Sequence, residues 1–184
     1  RREAQLLAGL HHPNIVSVME TGEDPALGPY AVMEWVPGGD LKAHLERAPE
    51  NQLPIDEGLD IAQDVLAGLS AAHEAWVIHR DIKPGNILLD RQGGAKLADF
   101  GIAGDATGAE ALPGRGTLGY MAPEQEDPQQ AGEVGPATDI YAMGIVLFEM
   151  LAGRRPAPGE DVRELRPQVP EAAASAVARA THLD

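Results

Sequence analysis

An α+β domain is what this sequence predicts, and three patterns predict it. Short apolar runs of strand length occur at Ile15–Met19, Tyr30–Glu34, Ile87–Leu89 and Ala95–Ala98. From Ile55 to His73, residues Leu59, Ala62, Val65, Leu66, Leu69 and Ala72 recur at helical spacing and mark one apolar face. From Thr138 to Phe148 the chain is apolar nearly all round, as in a helix buried on every side. The 184 residues are enough for one hydrophobic core.

In chain order, Arg1 to Leu10 reads as the end of an amphipathic helix with Leu6, Leu7 and Leu10 on one side, and Pro13 stops it. The strands Ile15–Met19 and Tyr30–Glu34 follow, joined by a Gly- and Pro-bearing loop from Thr21 to Pro29. Asp40 is placed to cap a short helix from Leu41 to Glu46. The helix at 55–73 leads to the apolar pair Val77-Ile78, read as another short buried strand. Asp99 to Glu124 is glycine-rich with few large apolar side chains outside its ends, the composition of a mobile loop. A polar stretch from Asp127 to Pro136 precedes the apolar helix. A Pro- and Arg-rich turn at 154–159 and a short helix from about Pro170 to Thr181 close the chain.

Composition removes several kinds of function. With no cysteine, a disulfide framework, thiol chemistry and a cysteine-based zinc site are all excluded. A net charge of −15 argues against binding to nucleic acid or an anionic membrane, and otherwise means only good solubility. The longest apolar candidate, Ile140 to Ala152, is too short to span a bilayer and contains Glu149. The histidines show no metal-ligand spacing. No signal peptide opens the chain, so a cytoplasmic location is expected, with any membrane anchor outside these residues.

Between Val77-Ile78 and Ile87–Leu89 lies the polar octet His79-Arg80-Asp81-Ile82-Lys83-Pro84-Gly85-Asn86. Such an octet is usually a solvated turn. Its residue types nevertheless suit chemistry on a phosphoryl group. A carboxylate can accept a hydroxyl proton, an ammonium can neutralise a phosphate oxygen, and an amide carbonyl can serve Mg²⁺. Asp99-Phe100-Gly101 follows the strand-like run at 95–98, and Gly116-Thr117 and Ala122-Pro123-Glu124 come after it.

With these motifs in this order, the sequence resembles the eukaryotic-type protein kinases, most of all their bacterial serine/threonine members. The resemblance covers essentially the whole chain. It implies a bilobal fold: an N-lobe remnant and hinge at 1–36, then a mostly helical C-lobe at 37–184, incomplete at its end. It implies ATP and Mg²⁺ as cofactors and a protein bearing Ser or Thr as the partner. Asp81 would orient the substrate hydroxyl and accept its proton, Lys83 would steady the γ-phosphate, and Thr117 would bond both. Asn86 and Asp99 would hold Mg²⁺. Met33 would be the gatekeeper, the backbone of Glu34 and Val36 would face the adenine edge, and Leu88 would pack beneath it. Asp40 matches an acidic position that reaches the ribose or the substrate, a reading that stands beside the N-cap. Glu3 matches the glutamate that pairs with a strand lysine, against the alternative of an ordinary exposed helix residue. His79 is expected to stack on Phe100, and Asp139 to hold the loop's backbone or simply favour its helix N-terminus.

The pattern has departures. No glycine-rich loop is evident, and none of Lys42, Lys83 and Lys96 sits in a Val-Ala-Ile-Lys-like strand. The chain is therefore expected to be a fragment truncated at both ends, prone to aggregation and inactive by itself. Glu124's usual arginine partner is not evident and is expected beyond Asp184. Arg80 beside Asp81 makes Thr107 a candidate phosphosite. The alternative to an enzyme is a pseudokinase acting as a binding or scaffold module, and the intact Asp81, Asn86 and Asp99 weigh against it.

Overall fold

The computed structural model describes residues 10–26, 28–100, 117–126 and 134–182. The expectations for Glu3, Leu6 and Leu7, for the glycine-rich stretch with Thr107, and for most of the polar stretch after Glu126 lie outside those residues. In chain order the elements are β1 (Val18–Asp24), β2 (Gly28–Met33), α1 (Leu41–Arg47), α2 (Ile55–Glu74), β3 (Ile87–Leu89), β4 (Ala95–Leu97), α3 (Pro123–Glu126), α4 (Pro136–Ala152), α5 (Val162–Leu165) and α6 (Glu171–Ala180). Helices dominate, and the strands form two separate antiparallel pairs, β1–β2 and β3–β4. The α+β expectation holds.

The core forms where α2 packs against α4 and β4, with α6 on the other side of α4. Val146, Phe148, Met150 and Leu151 of α4 are fully buried, as are Val65 and Ala72 of α2. Pro136 at the first position of α4 needs no hydrogen-bonded N–H, and Gly153 ends the helix in the left-handed conformation at φ 77°. A side chain at Gly153 would also collide with the Glu50 carbonyl. The α2 stripe is rotated slightly from its expected place. Leu66 is 41% exposed, while Gly58 and Ile61 face the core.

The first strands differ from expectation. Ile15 and Val16 are buried, and they pair with β4 instead of the hairpin. The Val16 amide donates to the Leu97 carbonyl at 2.8 Å, and the Leu97 amide to Asn14 at 2.9 Å. Burial of these two apolar side chains draws them into the core, so the hairpin starts only at Val18. The stretch Thr21–Asp24, expected as loop, pairs with Gly28–Ala31. Its glycine and proline are compatible with pairing for local reasons. The Tyr30 ring occupies the place of a Gly22 side chain, and Pro29 lies in a two-stranded sheet where one side needs no ladder N–H. Val77 and Ile78 join no ladder, although Val77 is buried.

Candidate active site

The octet at 79–86 is held from below by one buried carboxylate. Asp139, in the first turn of α4, is 1% exposed and accepts with both oxygens. Its Oδ2 accepts from the His79 amide at 2.9 Å, and its Oδ1 from the Arg80 amide at 2.8 Å. His73, in the last turn of α2, approaches Oδ2 with Nε2 at 2.8 Å. Two amides that would otherwise be unsatisfied in a dry interior are thereby paired. Gln125 of α3 adds a third tie, its Nε2 donating to the Arg80 carbonyl at 2.7 Å. Arg80 is thus fixed from both sides at φ 68°, a left-handed conformation that a non-glycine residue seldom adopts.

The fully buried His79 ring lies 4.5 Å from that of Phe100, centroid to centroid. Nε2 lies 2.9 Å from the Ala98 carbonyl, which can only accept, so Nε2 carries the proton. Nδ1 then accepts from the Asp81 amide at 3.3 Å. Burial, opposed more weakly by Asp139, lowers the ring's pKa below its ordinary value. His79 is therefore a neutral packing and hydrogen-bonding residue.

Four polar side chains meet above this base. Lys83 Nζ donates to Asp81 Oδ2 at 2.7 Å and to Thr117 Oγ1 at 2.8 Å. Thr117 Oγ1 donates to Asp81 Oδ1 at 3.0 Å. Asn86 Nδ2 donates to the Asp81 carbonyl at 2.8 Å and to Oδ2 at 3.1 Å. The chain brings these groups together by turning tightly at 84–86 before entering β3. The Asp81 side chain is 31% exposed and Lys83 28%, so the cluster faces solvent. Asp99 is also exposed and stands at φ 58°, at the end of the strand that follows β3.

An apolar patch of Val16, Val36 and Ala98, with half-buried Leu88 against it, lies between the hairpin and β3–β4. Met33 ends β2 and is 40% exposed. The Glu34 side chain accepts from Lys96 Nζ at 2.8 Å and from the Ser17 amide at 3.1 Å. Its own amide donates to the Ser17 carbonyl at 3.0 Å. Asp40 caps α1 by accepting from the Ala43 amide at 2.7 Å and bridges to Leu88.

Of the residues singled out from sequence, Asp81, Lys83, Thr117 and Asn86 form one cluster. Met33, Glu34, Val36, Asp40 and Leu88 are grouped around the hairpin's end, α1 and β3. Glu124 Oε1 accepts from Thr138 Oγ1 at 2.6 Å. Sequence reasoning missed His73, Gln125, Tyr120, Glu149 and Arg155. Tyr120 Oη donates to Glu149 Oε2 at 2.6 Å, and burial beside that carboxylate pushes the phenol's pKa up. Arg155 spans the ring 5.3 Å from its centroid. These contacts join residues far apart in the chain, and no local spacing announces them.

The family profile described as "Protein kinase domain" matches residues 1–179. Serine/threonine-protein kinase PrkC of Bacillus subtilis is 39% identical over 180 residues, which covers 94% of this chain and 27% of PrkC. Serine/threonine-protein kinase PksC of Streptomyces coelicolor is 40% identical over 163 residues, covering 85% of this chain and 29% of PksC. The chain thus spans under a third of the length of these two relatives. A crystal structure of the Mycobacterium tuberculosis PknI kinase domain superposes with a TM-score of 0.79 at 28% identity, covering all of this chain and 68% of that one.

Proposed function

The chain belongs to the protein kinase domain family, and from that premise we propose that it is catalytic machinery of a bacterial-type serine/threonine protein kinase. The reaction would move the terminal phosphoryl group of ATP to a Ser or Thr hydroxyl of a protein. The observation that carries this reading is the Asp81–Lys83–Thr117–Asn86 cluster, with both Asp81 oxygens held and the group open to solvent.

Asp81 is the base. A carboxylate fixed by Thr117, Lys83 and Asn86 can align a substrate hydroxyl and accept its proton as the new bond forms. Lys83 keeps positive charge where the phosphoryl oxygens carry negative charge. The Thr117 bond to both residues ties the segment after Gly116 to the base, so the groove and the base are positioned together.

The cofactors fit the residues present. Asn86 uses only its amide nitrogen within the cluster, which leaves its carbonyl oxygen for a metal, and Asp99 offers an exposed carboxylate. Together they would supply the one or two protein oxygens that Mg²⁺ typically takes, with phosphates and water completing its shell. The Val16, Val36, Leu88 and Ala98 patch suits a purine face, Asp40 bridges to its Leu88, and Met33 would be the gatekeeper. When bound, ATP supplies the phosphoryl group and Mg²⁺ neutralises its charge.

In this reading residues 1–36 form N-lobe and hinge, and residues 37–184 form the C-lobe. Glu3 belongs to the ATP side. The domain acts in the cytoplasm, where ATP is available.

The test is Asp81→Asn in the full-length protein, assayed with radiolabelled ATP on Ser and Thr peptides. Loss of a general base should lower kcat by about 10²–10⁴ while ATP affinity and thermal stability stay near wild type. A near-normal rate would overturn the assignment.

A further inference from the structure

A cavity of about 750 Å³ opens beside the cluster and extends from Lys83 and Asn86 past Thr117 to Glu149 and Arg155. Its far wall is built on one cation. Arg155 lies two residues after the glycine that ends α4, and its Nη1 donates to the Leu118 carbonyl at 2.9 Å. Its guanidinium lies across the Tyr120 ring, a geometry that holds an arginine without neutralising it. Gly119 makes room for it, since a side chain there would collide with Arg155 Nη1, and the residue stands at φ 91°.

The charges of the cavity differ in how they are engaged. Lys83 pairs with Asp81, and Lys42 with Glu46 at 3.9 Å. Glu149 accepts the short bond from Tyr120. Among the described residues no carboxylate lies within ion-pairing distance of Arg155, whose recorded partners are a neutral carbonyl and a ring. A guanidinium has five N–H donors in a fork that matches a carboxylate. Arg155 keeps most of that fork for a visitor.

Its distance from the base is set by the chain itself. Thr117 bonds Asp81, and the next residue, Leu118, bonds Arg155. An extended peptide advances about 3.3–3.6 Å per residue, so a side chain one or two residues from the phosphoacceptor comes within reach of the guanidinium.

We propose that Arg155 is a specificity-determining residue that selects protein substrates with an acidic side chain one or two residues from the phosphorylated Ser or Thr. The inference rests on the kinase reading and names a feature of its substrates. Arg155 touches neither Asp81 nor the cofactor patch, so it acts on substrate choice and not on the transfer step.

The experiment measures kcat/KM of the full-length protein on matched Ser peptides carrying Glu, Ala or Lys at each of the two positions on either side of the acceptor. An exposed ion pair supplies up to about 1 kcal/mol, so the wild type should prefer Glu over Ala by up to about fivefold at one of these positions. Arg155→Gln keeps the stem and a donor for the Leu118 carbonyl, and should erase the preference while leaving the Ala peptide within about twofold. Arg155→Glu should shift the preference toward Lys. Equal rates on Glu and Ala peptides with the wild type, or a Glu preference that survives Arg155→Gln, would overturn the inference and leave the kinase reading standing. No transfer to any peptide would overturn both.

Discussion

Residues 79–86 belong to no strand ladder, whereas β1 and β2 are paired along most of their length, yet the irregular segment is the better anchored of the two. Asp139 binds two of its amides, Gln125 one of its carbonyls, and the buried His79 ring carries the Asp81 amide. Among the described residues the hairpin is held mainly by its ladder. Met19, Tyr30, Val32 and Met33 are exposed on it, and Trp35 just beyond it is 86% exposed. Regular hydrogen bonding and rigidity are therefore different properties. A two-stranded pair satisfies its inner backbone groups but buries little apolar surface, and that burial supplies most of the stabilisation. The loop draws its rigidity from α2, α3 and α4, whose side chains reach up to it. The groups that would handle the proton are fixed from the core, and those that would face the nucleotide ride partly on an exposed hairpin.

The contrast breaks most severely at Asp139. Replacing it by alanine strips two buried amides of their acceptor, each a loss of about 1–3 kcal/mol, with His73 left unpaired as well. Asp139→Ala should lower the unfolding free energy by about 3–5 kcal/mol, and denaturant titration measures it. A midpoint unchanged within error would show that the loop holds itself.

A middle-sized effect should appear in acid. His79 is neutral in the fold and titrates below its ordinary 6.5. Between the folded and unfolded pKa values the unfolded chain binds the extra proton. Stability is thus full above pH 6.5, falls as pH drops through 6.5, and levels off below the folded value. The loss is at most about 1.4 kcal/mol per pH unit inside that window. Protonating Nδ1 would also remove the acceptor of the Asp81 amide. Thermal denaturation from pH 8 to 5 should show a slope that His79→Phe reduces, and parallel curves for the two proteins would contradict the account.

The smallest effect belongs to an ion pair that ties the end of the hairpin to β4, Glu34 with Lys96, its side chains 29% and 23% exposed. Lys96→Met should raise the KM for ATP by about three- to fivefold while kcat and stability change little, as a partly exposed pair allows. A fall in kcat with KM unchanged would mean that the hairpin and the base are coupled more tightly than the geometry shows.

Much of this was legible in the sequence because its signals are local. The helices read at 41–46, 55–73 and about 170–181 are found at 41–47, 55–74 and 171–180, and the residue types of His79–Asn86 suit phosphoryl chemistry in the sequence alone. Asp139 was read as either an anchor or a helix-dipole residue. Only the fold, by bringing α4 beneath residue 79, distinguishes them. The hairpin was misplaced because Gly22 and Pro29 carry turn signals that a two-stranded sheet tolerates, while Ile15 and Val16 look like strand residues in any setting. What they pair with is decided by which surface buries them best. Glu124 finding Thr138, and Arg155 lying over Tyr120, have the same origin. Side chains distant in the chain meet only once α4 and the turn after it are packed, and a linear pattern holds no record of that distance. The sequence determined which chemical groups are present and most of the helices that carry them. The tertiary structure decided which groups share a hydrogen bond, because burial makes satisfying every polar group a problem for the whole molecule.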